Sequence, residues 1–336
     1  MALFSTQHIK LRGISVTVPS KIVSNFDLNY LTDQEKKTLV NTTGIEKRRI
    51  AGEHETAADL CIHATRRMMG SLGWSPEEIE ILVFVSQTPD YSIPGSSMFI
   101  QHELGLSKSC MAIDVNQGCS GYVYGLSIIA ALMSSGKIKK GILLVGDTLT
   151  KTIAKDDKSL IPVFSDAGSC TTLEWDQTAE PMHFNLQSDG SGYDKIIIRK
   201  GGARSTNQAD SPFLFMNGQD IFNFGLKEVA TNISSLLESQ NCNIGNIDYF
   251  VMHQANLLLN ETIRKKVGMD LNQTLYSLKD YGNTSCATIP VSIAANAQKL
   301  QNVNAQVLLA GFGVGLSWGS ALINFDHVKC LEIDEL

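Results

Sequence analysis

The chain has 336 residues, 43% hydrophobic and 18% charged, with a formal net charge of -6 and a pI near 5.7. That length buries a large core, and no tract is polar enough to resist folding. An acidic balance supplies no general basic field, which argues against nucleic acid and against an anionic membrane as partners.

The first residues, Met1 to Arg12, lack the basic-then-apolar pattern of a secretory signal. The longest apolar stretch, Tyr122 to Met133, is too short to span a bilayer, so a cytoplasmic protein is expected. Seven cysteines without a C-x-x-C pair or regular spacing resemble neither a disulfide framework nor a zinc site, and no metal is expected.

Along the chain, near-continuous apolar runs predict buried strands at Ile81 to Val85, Gly141 to Val145, Tyr249 to Met252 and Val307 to Ala310. Helical periodicity predicts helices at Glu55 to Leu72, Gly121 to Ser135, Gly225 to Glu238 and Ile289 to Leu300. Their alternation argues for an α/β architecture with mostly parallel sheets.

The chain also carries an internal echo. Ile79-Glu80-Ile81-Leu82-Val83-Phe84 resembles Ile247-Asp248-Tyr249-Phe250-Val251-Met252, and Gly141-Ile142-Leu143-Leu144-Val145-Gly146 resembles Gln306-Val307-Leu308-Leu309-Ala310-Gly311. Two similar pairs in one order predict two similar halves, residues 1–180 and 181–336, with the boundary between Thr178 and Asp189. Cys119 and Asn283 precede the second segment of their own half by nearly the same stretch, and His253 follows directly on a strand. Since ligands collect at the carboxyl ends of strands in open α/β sheets, these three could converge on one site.

Cys119 stands in Asn116-Gln117-Gly118-Cys119-Ser120-Gly121, a tight turn before an apolar helix, where helix N–H groups favour a thiolate. The other six cysteines read as small core residues. His253 taken alone reads as a satisfied structural histidine, and Asn283 in Gly282-Asn283-Thr284-Ser285 as a turn and cap; it is their company that suggests chemistry. Gly311-Phe312-Gly313-Val314-Gly315 follows a strand but lacks the Lys and Ser/Thr of a P-loop, which excludes a phosphate cradle. It suits either close backbone approach to a reacting carbonyl or a structural bend.

With these residues in hand, the chain resembles the β-ketoacyl-acyl-carrier-protein synthase III family. The resemblance is carried by Thr43-Gly44-Ile45-Glu46-Lys47-Arg48-Arg49, Glu55-Thr56-Ala57-Ala58-Asp59, Thr88-Pro89-Asp90-Tyr91, Gly118-Cys119-Ser120-Gly121, His253-Gln254-Ala255-Asn256, Gly282-Asn283-Thr284-Ser285 and Phe312-Gly313-Val314-Gly315. It implies a five-layered αβαβα thiolase-like fold of two similar halves, a homodimer, and a catalytic set of Cys119, His253 and Asn283. It implies no cofactor, with acyl-coenzyme A or acyl-carrier thioesters as substrates. An acyl group would load on Cys119 and join a malonyl-carrier thioester by decarboxylative condensation, the oxyanion held by the backbone N–H groups of Cys119 and Val314. The family pattern also implies a pantetheine channel at Gly218, Gln219, Phe222, Ala255 and Asn256, Ile93 closing the partner's acyl tunnel, and an acyl carrier protein docking on Arg264, Lys265 and Lys266.

The departures are informative. Thr38 and Thr42 stand where the family usually grips the coenzyme A nucleotide with Trp and Arg, and Lys158 replaces a second nucleotide-contacting Arg, without its planar face. A carrier protein is therefore a candidate acyl donor. Leu258 and Asn223 stand where basic docking residues are common. The competing readings are a thiolase-fold transferase passing the acyl group to an alcohol or amine, a Cys-His-Asn hydrolase, and a non-catalytic scaffold.

Overall fold

The computed structural model describes residues 2–204, 210–301 and 303–336. Two sheets form the frame. One runs, edge to edge, through Lys329–Cys330, Ile9–Val18, Ala167–Trp175, Lys140–Asp147, Ile81–Val85 and Met111–Val115, with Asp334–Glu335 also pairing on Ile9–Val18. The other runs through Ala2–Thr6, Met182–Ser188, Ser317–Asp326, Asn304–Gly313 and Tyr249–Met252.

Between the sheets lie the helices Gly121–Met133 and Thr288–Ala295. Both are apolar on every side, and their residues join one core with the inner faces of both sheets. Burying each large side chain such as Leu126 or Ile129 stabilises the fold by about 1.5–3 kcal/mol. A helix with no polar face has no stable place other than such an interior. The outer face of the first sheet is covered by Ala57–Leu72 and Ser96–Glu103. That of the second is covered by Gly218–Ser239 and Leu257–Val267. The result is the five-layered αβαβα thiolase-like fold.

Strand positions agree with the apolar runs, but strand direction does not. Parallel pairing is confined to Ile81–Val85 with its two neighbours, Tyr249–Met252 with Asn304–Gly313, and the C-terminal strands on Ile9–Val18. The remaining ladders are antiparallel, so the expectation of mostly parallel sheets is corrected to mixed ones. A continuous apolar run reports burial on both faces and says nothing of direction. The chain ends also cross over: the first strand joins the sheet built mainly from the C-terminal half, and the last strands join the other.

Two helix boundaries moved for local reasons. Gly218–Ser239 begins seven residues before the predicted start, because Asn217 caps it by accepting from the Asp220 N–H. The predicted helix Ile289 to Leu300 is broken at Asn296, whose Nδ2 donates to the Ser292 carbonyl at 2.9 Å and to the Tyr276 carbonyl at 3.2 Å. Such side-chain bonds offer the backbone an alternative to the helical ladder.

Candidate active site

The two central helices start close together. A β-carbon on Gly121 would meet the Cys286 Cβ at 3.1 Å, so the missing side chain lets the two N-terminal ends approach. Cys119 precedes one helix and Asn283 the other. His253 follows the strand Tyr249–Met252, its N–H donating to the Ala310 carbonyl at 2.7 Å.

Each side chain is held by identifiable partners. Asn283 donates its N–H to the Val163 carbonyl at 3.0 Å, and its carbonyl accepts from the Ser165 N–H at 2.9 Å, pinning this loop to the other half of the chain. Ser285 takes a left-handed turn, φ 53°, and donates its N–H to Asn283 Oδ1 at 2.9 Å. The Asn283 amide oxygen is thereby engaged, and Asn283 lines the cavity. His253 Nδ1 lies 2.8 Å from Thr288 Oγ1, and the Thr288 hydroxyl donates to the Ser285 carbonyl at 3.0 Å. Having spent its hydrogen there, Thr288 accepts from Nδ1–H, which leaves Nε2 as the lone-pair end of the ring. Phe312 packs edge-on against this imidazole, centroids 5.4 Å apart.

Cys119, His253 and Asn283 line one cavity with about 840 Å³ of free space, open mouth included. Apolar residues such as Leu149, Phe164, Leu214 and Met216 make up much of the remaining wall.

Burial sets the charge state. Desolvation pushes the Cys119 thiol up to about 11, against the N–H groups of Val314 and Cys119 and the Ser285 hydroxyl, which favour the thiolate, and with the Asp147 charge, which opposes it. The helix N-terminus, which on its own favours a thiolate, is outweighed by loss of water. Asp147 is fully buried, its Oδ1 accepting from the Gln87 N–H at 2.7 Å and the Ser86 hydroxyl at 3.0 Å. Desolvation likewise pushes His253 down to about 3. Thiol and imidazole are both neutral at pH 7.

Gly218, Phe222, Ala255, Asn256 and Val314 also line the cavity. Asn256 caps the helix Leu257–Val267, accepting from the Leu259 N–H at 2.9 Å. Other predicted positions lie apart. Gln219 points to Asn223, its Nε2 donating to Oδ1 at 3.1 Å. Ile93 is 89% exposed, and Lys158 stands over the Tyr30 ring at 5.4 Å. Of the three docking candidates, Arg264 is largely buried in a bidentate pair with Glu261 and also donates to the Met269 carbonyl. Lys266 donates to the Leu226 carbonyl at 2.8 Å.

The sequence reading passed over Thr43, Gln87 and Ser285, all on the cavity wall. Gln87 had a signal: it follows the carboxyl end of Ile81–Val85, the same placement that singled out His253. Ser285 had none, since its role depends on a turn that wraps around a distant sulfur.

Comparison with known proteins bears on this geometry. Residues 113–190 match the model of 3-oxoacyl-[acyl-carrier-protein] synthase III, and residues 237–325 match that of its C-terminal part. The chain is 30% identical over 327 residues to the β-ketoacyl-[acyl-carrier-protein] synthase III of Clostridium perfringens, covering 94% of this chain and 99% of the relative. It is 29% identical over 320 residues to that of Neisseria meningitidis serogroup A, covering 95% and 100%. The crystal structure of a 3-oxoacyl-(acyl-carrier protein) synthase from Burkholderia xenovorans superposes with a TM-score of 0.96 at 35% identity, covering 99% of each chain. The chain therefore belongs to the 3-oxoacyl-[acyl-carrier-protein] synthase III family of thiolase-fold condensing enzymes.

Proposed function

We propose that the protein loads an acyl group from a thioester onto Cys119 and joins it to a malonyl-type thioester with loss of carbon dioxide. The observation that carries this reading is the convergence of Cys119, His253 and Asn283 on one largely apolar cavity.

In the first half-reaction the Cys119 sulfur attacks the donor carbonyl. Its proton passes to His253 Nε2 and on to the departing sulfur, so a thiol leaves and the thioester bond energy is kept. The N–H groups of Cys119 and Val314 hold the oxyanion. In the second, the malonyl carboxylate enters beside His253, and its negative charge favours uptake of a proton by the imidazole. Loss of carbon dioxide generates an enolate, to which Asn283 Nδ2 and the protonated His253 donate. The enolate carbon attacks the acyl-Cys119 carbonyl, and the imidazolium proton returns to the sulfur as the ketoacyl product departs.

A carrier-borne acceptor is proposed from similarity to the relatives above. Lys265 and Lys266 are the better placed of the docking candidates, Arg264 being committed to Glu261. A second copy of the chain is proposed to cover the edge strand Met111–Val115, which pairs on one side only and lies in a region where Tyr91, Ile93, Met98 and Met111 are exposed.

The test is intact-mass detection of an adduct after incubation with acyl-coenzyme A and acyl-carrier thioesters, with release of labelled carbon dioxide from malonyl thioester. An adduct is expected that Cys119→Ala lacks. Asn283→Ala is expected to load normally while decarboxylation falls about 100- to 1000-fold. Loading and decarboxylation lost together would overturn the role given to Asn283.

A further inference from the structure

A closed ring of side-chain hydrogen bonds, two of its three members buried, flanks Cys119. Gln117 Nε2 is 2.7 Å from Ser317 Oγ and 3.0 Å from Ser120 Oγ. The two serine oxygens are 2.7 Å apart, and the Ser317 hydroxyl donates to the Val314 carbonyl at 2.7 Å. Ser120 is fully buried and Ser317 nearly so. Every hydrogen then has one place. Ser317 donates to Val314, Ser120 donates to Ser317, and the Gln117 amide gives one hydrogen to each serine.

Ser120 occupies the N-cap of the helix Gly121–Met133, where a serine hydroxyl ordinarily accepts from the helix backbone. Here it makes no such bond and turns to Ser317 instead. The helix thus forgoes a stabilising cap in favour of a link across the chain, and a sacrifice of that kind points to a positional need. What the ring joins is specific. Gln117 and Ser120 flank Cys119, and Ser317 stands three residues after Val314. The loop it holds lies tightly on the sulfur, since a β-carbon on Gly313 would come 2.8 Å from Cys119 Sγ.

We propose that Gln117, Ser120 and Ser317 are positioning residues that fix the spacing between the N–H groups of Cys119 and Val314, the two donors that hold the oxyanion. This rests on the reading of Cys119 as the acylated nucleophile. Oxyanion donors act only within a few tenths of an ångström of their optimum, and a displacement of about 1 Å costs on the order of 100-fold in rate. Besides the Val314 N–H that faces the Cys119 sulfur, the side-chain links from this turn to the Gly313 to Gly319 loop run from Gln117 and Ser120 to Ser317.

The experiment compares the full chain with Gln117→Leu, Ser317→Ala and Ser317→Thr, the last keeping the hydroxyl. Two probes are used: iodoacetamide labelling of Cys119 across pH, read by peptide mass spectrometry, and acylation by S-acetyl-N-acetylcysteamine. For Gln117→Leu and Ser317→Ala the expected results are an alkylation midpoint at higher pH than wild type, because the Val314 N–H that favours the thiolate has drifted, and acylation slowed about 10- to 100-fold at saturation with little change in KM. Ser317→Thr is expected to match wild type in both. Unshifted midpoints and acylation within about 2-fold of wild type in the first two variants, or equal losses in Ser317→Thr and Ser317→Ala, would overturn the proposal. Gln117 is partly exposed, so Gln117→Leu decides if Ser317→Ala fails to fold. The alkylation arm needs no acyl donor and decides alone if the acetyl probe is refused. A wild-type protein acylated elsewhere than Cys119 would instead count against the reading of the nucleophile.

Discussion

Gly313 lies against Cys119 so closely that a β-carbon on it would sit 2.6 Å from the Cys119 Cβ and 2.8 Å from its sulfur. Real side chains do not approach to that distance, so either the loop or the nucleophile must move. Gly313→Ala is expected to fold, since the clash is confined to the Cys119 turn it faces, but to lose acylation of Cys119 by about 100-fold or more, the scale of a donor misplaced by an ångström. Intact mass spectrometry after a timed exposure to acyl thioester checks this. A normally acylated Gly313→Ala protein would show that the loop tolerates the displacement.

The charge state of Cys119 makes a second expectation. Burial holds the thiol at about 11, against 9.0 for an ordinary cysteine, which leaves on the order of 100-fold less thiolate near neutrality, at a factor of ten per unit. Iodoacetamide labelling of Cys119 should therefore be slow at pH 7.5 and keep climbing beyond pH 9. A plateau reached by pH 8 would mean that the thiolate-favouring contacts win over desolvation.

His253 links stability to pH. Its folded value is depressed from 6.5 to about 3 by burial, so below pH 6.5 the unfolded chain takes up a proton that the folded chain refuses. The folded state is then penalised as pH falls from 6.5 toward 3. At pH 4.5 the penalty is about 2–3 kcal/mol, at about 1.4 kcal/mol per unit. Urea midpoints of wild type and His253→Leu, measured from pH 7.5 to 4.5, should converge as the pH drops, because the leucine variant lacks this penalty. Parallel curves would count against a neutral buried imidazole.

Thr288 decides which way the imidazole faces, by accepting from Nδ1 while donating to Ser285. Removing the hydroxyl takes away one of the buried imidazole's hydrogen-bond partners, a loss of about 1–3 kcal/mol. Thr288→Val is expected to lower kcat for both half-reactions with KM nearly unchanged, and Thr288→Ser to restore it. Steady-state kinetics on the three proteins, with melting temperatures as a control, separates orientation from simple loss of stability.

Much of the site was legible in the sequence for a local reason. Cys119 and His253 each sit where an apolar strand gives way to polar residues, and that pattern is written in adjacent letters. Asn283 needed the internal echo and the family pattern, since Gly282 to Ser285 alone reads as a turn. Arg264 shows what long-range contacts add. The family pattern implied a docking residue there, and the fold adds a pairing one helical turn away with Glu261, which also accepts from Tyr276 at 2.7 Å.

The sequence by itself determined the α/β alternation, the positions of the buried strands, the family and the three residues drawn together, because periodicity and motif are properties of neighbouring residues. Only the tertiary structure decided that the thiol and imidazole are neutral, that the sheets are mixed, and that Gln117 meets Ser317 across 200 residues of chain. Desolvation and long-range hydrogen bonds exist only once distant segments have displaced the water between them.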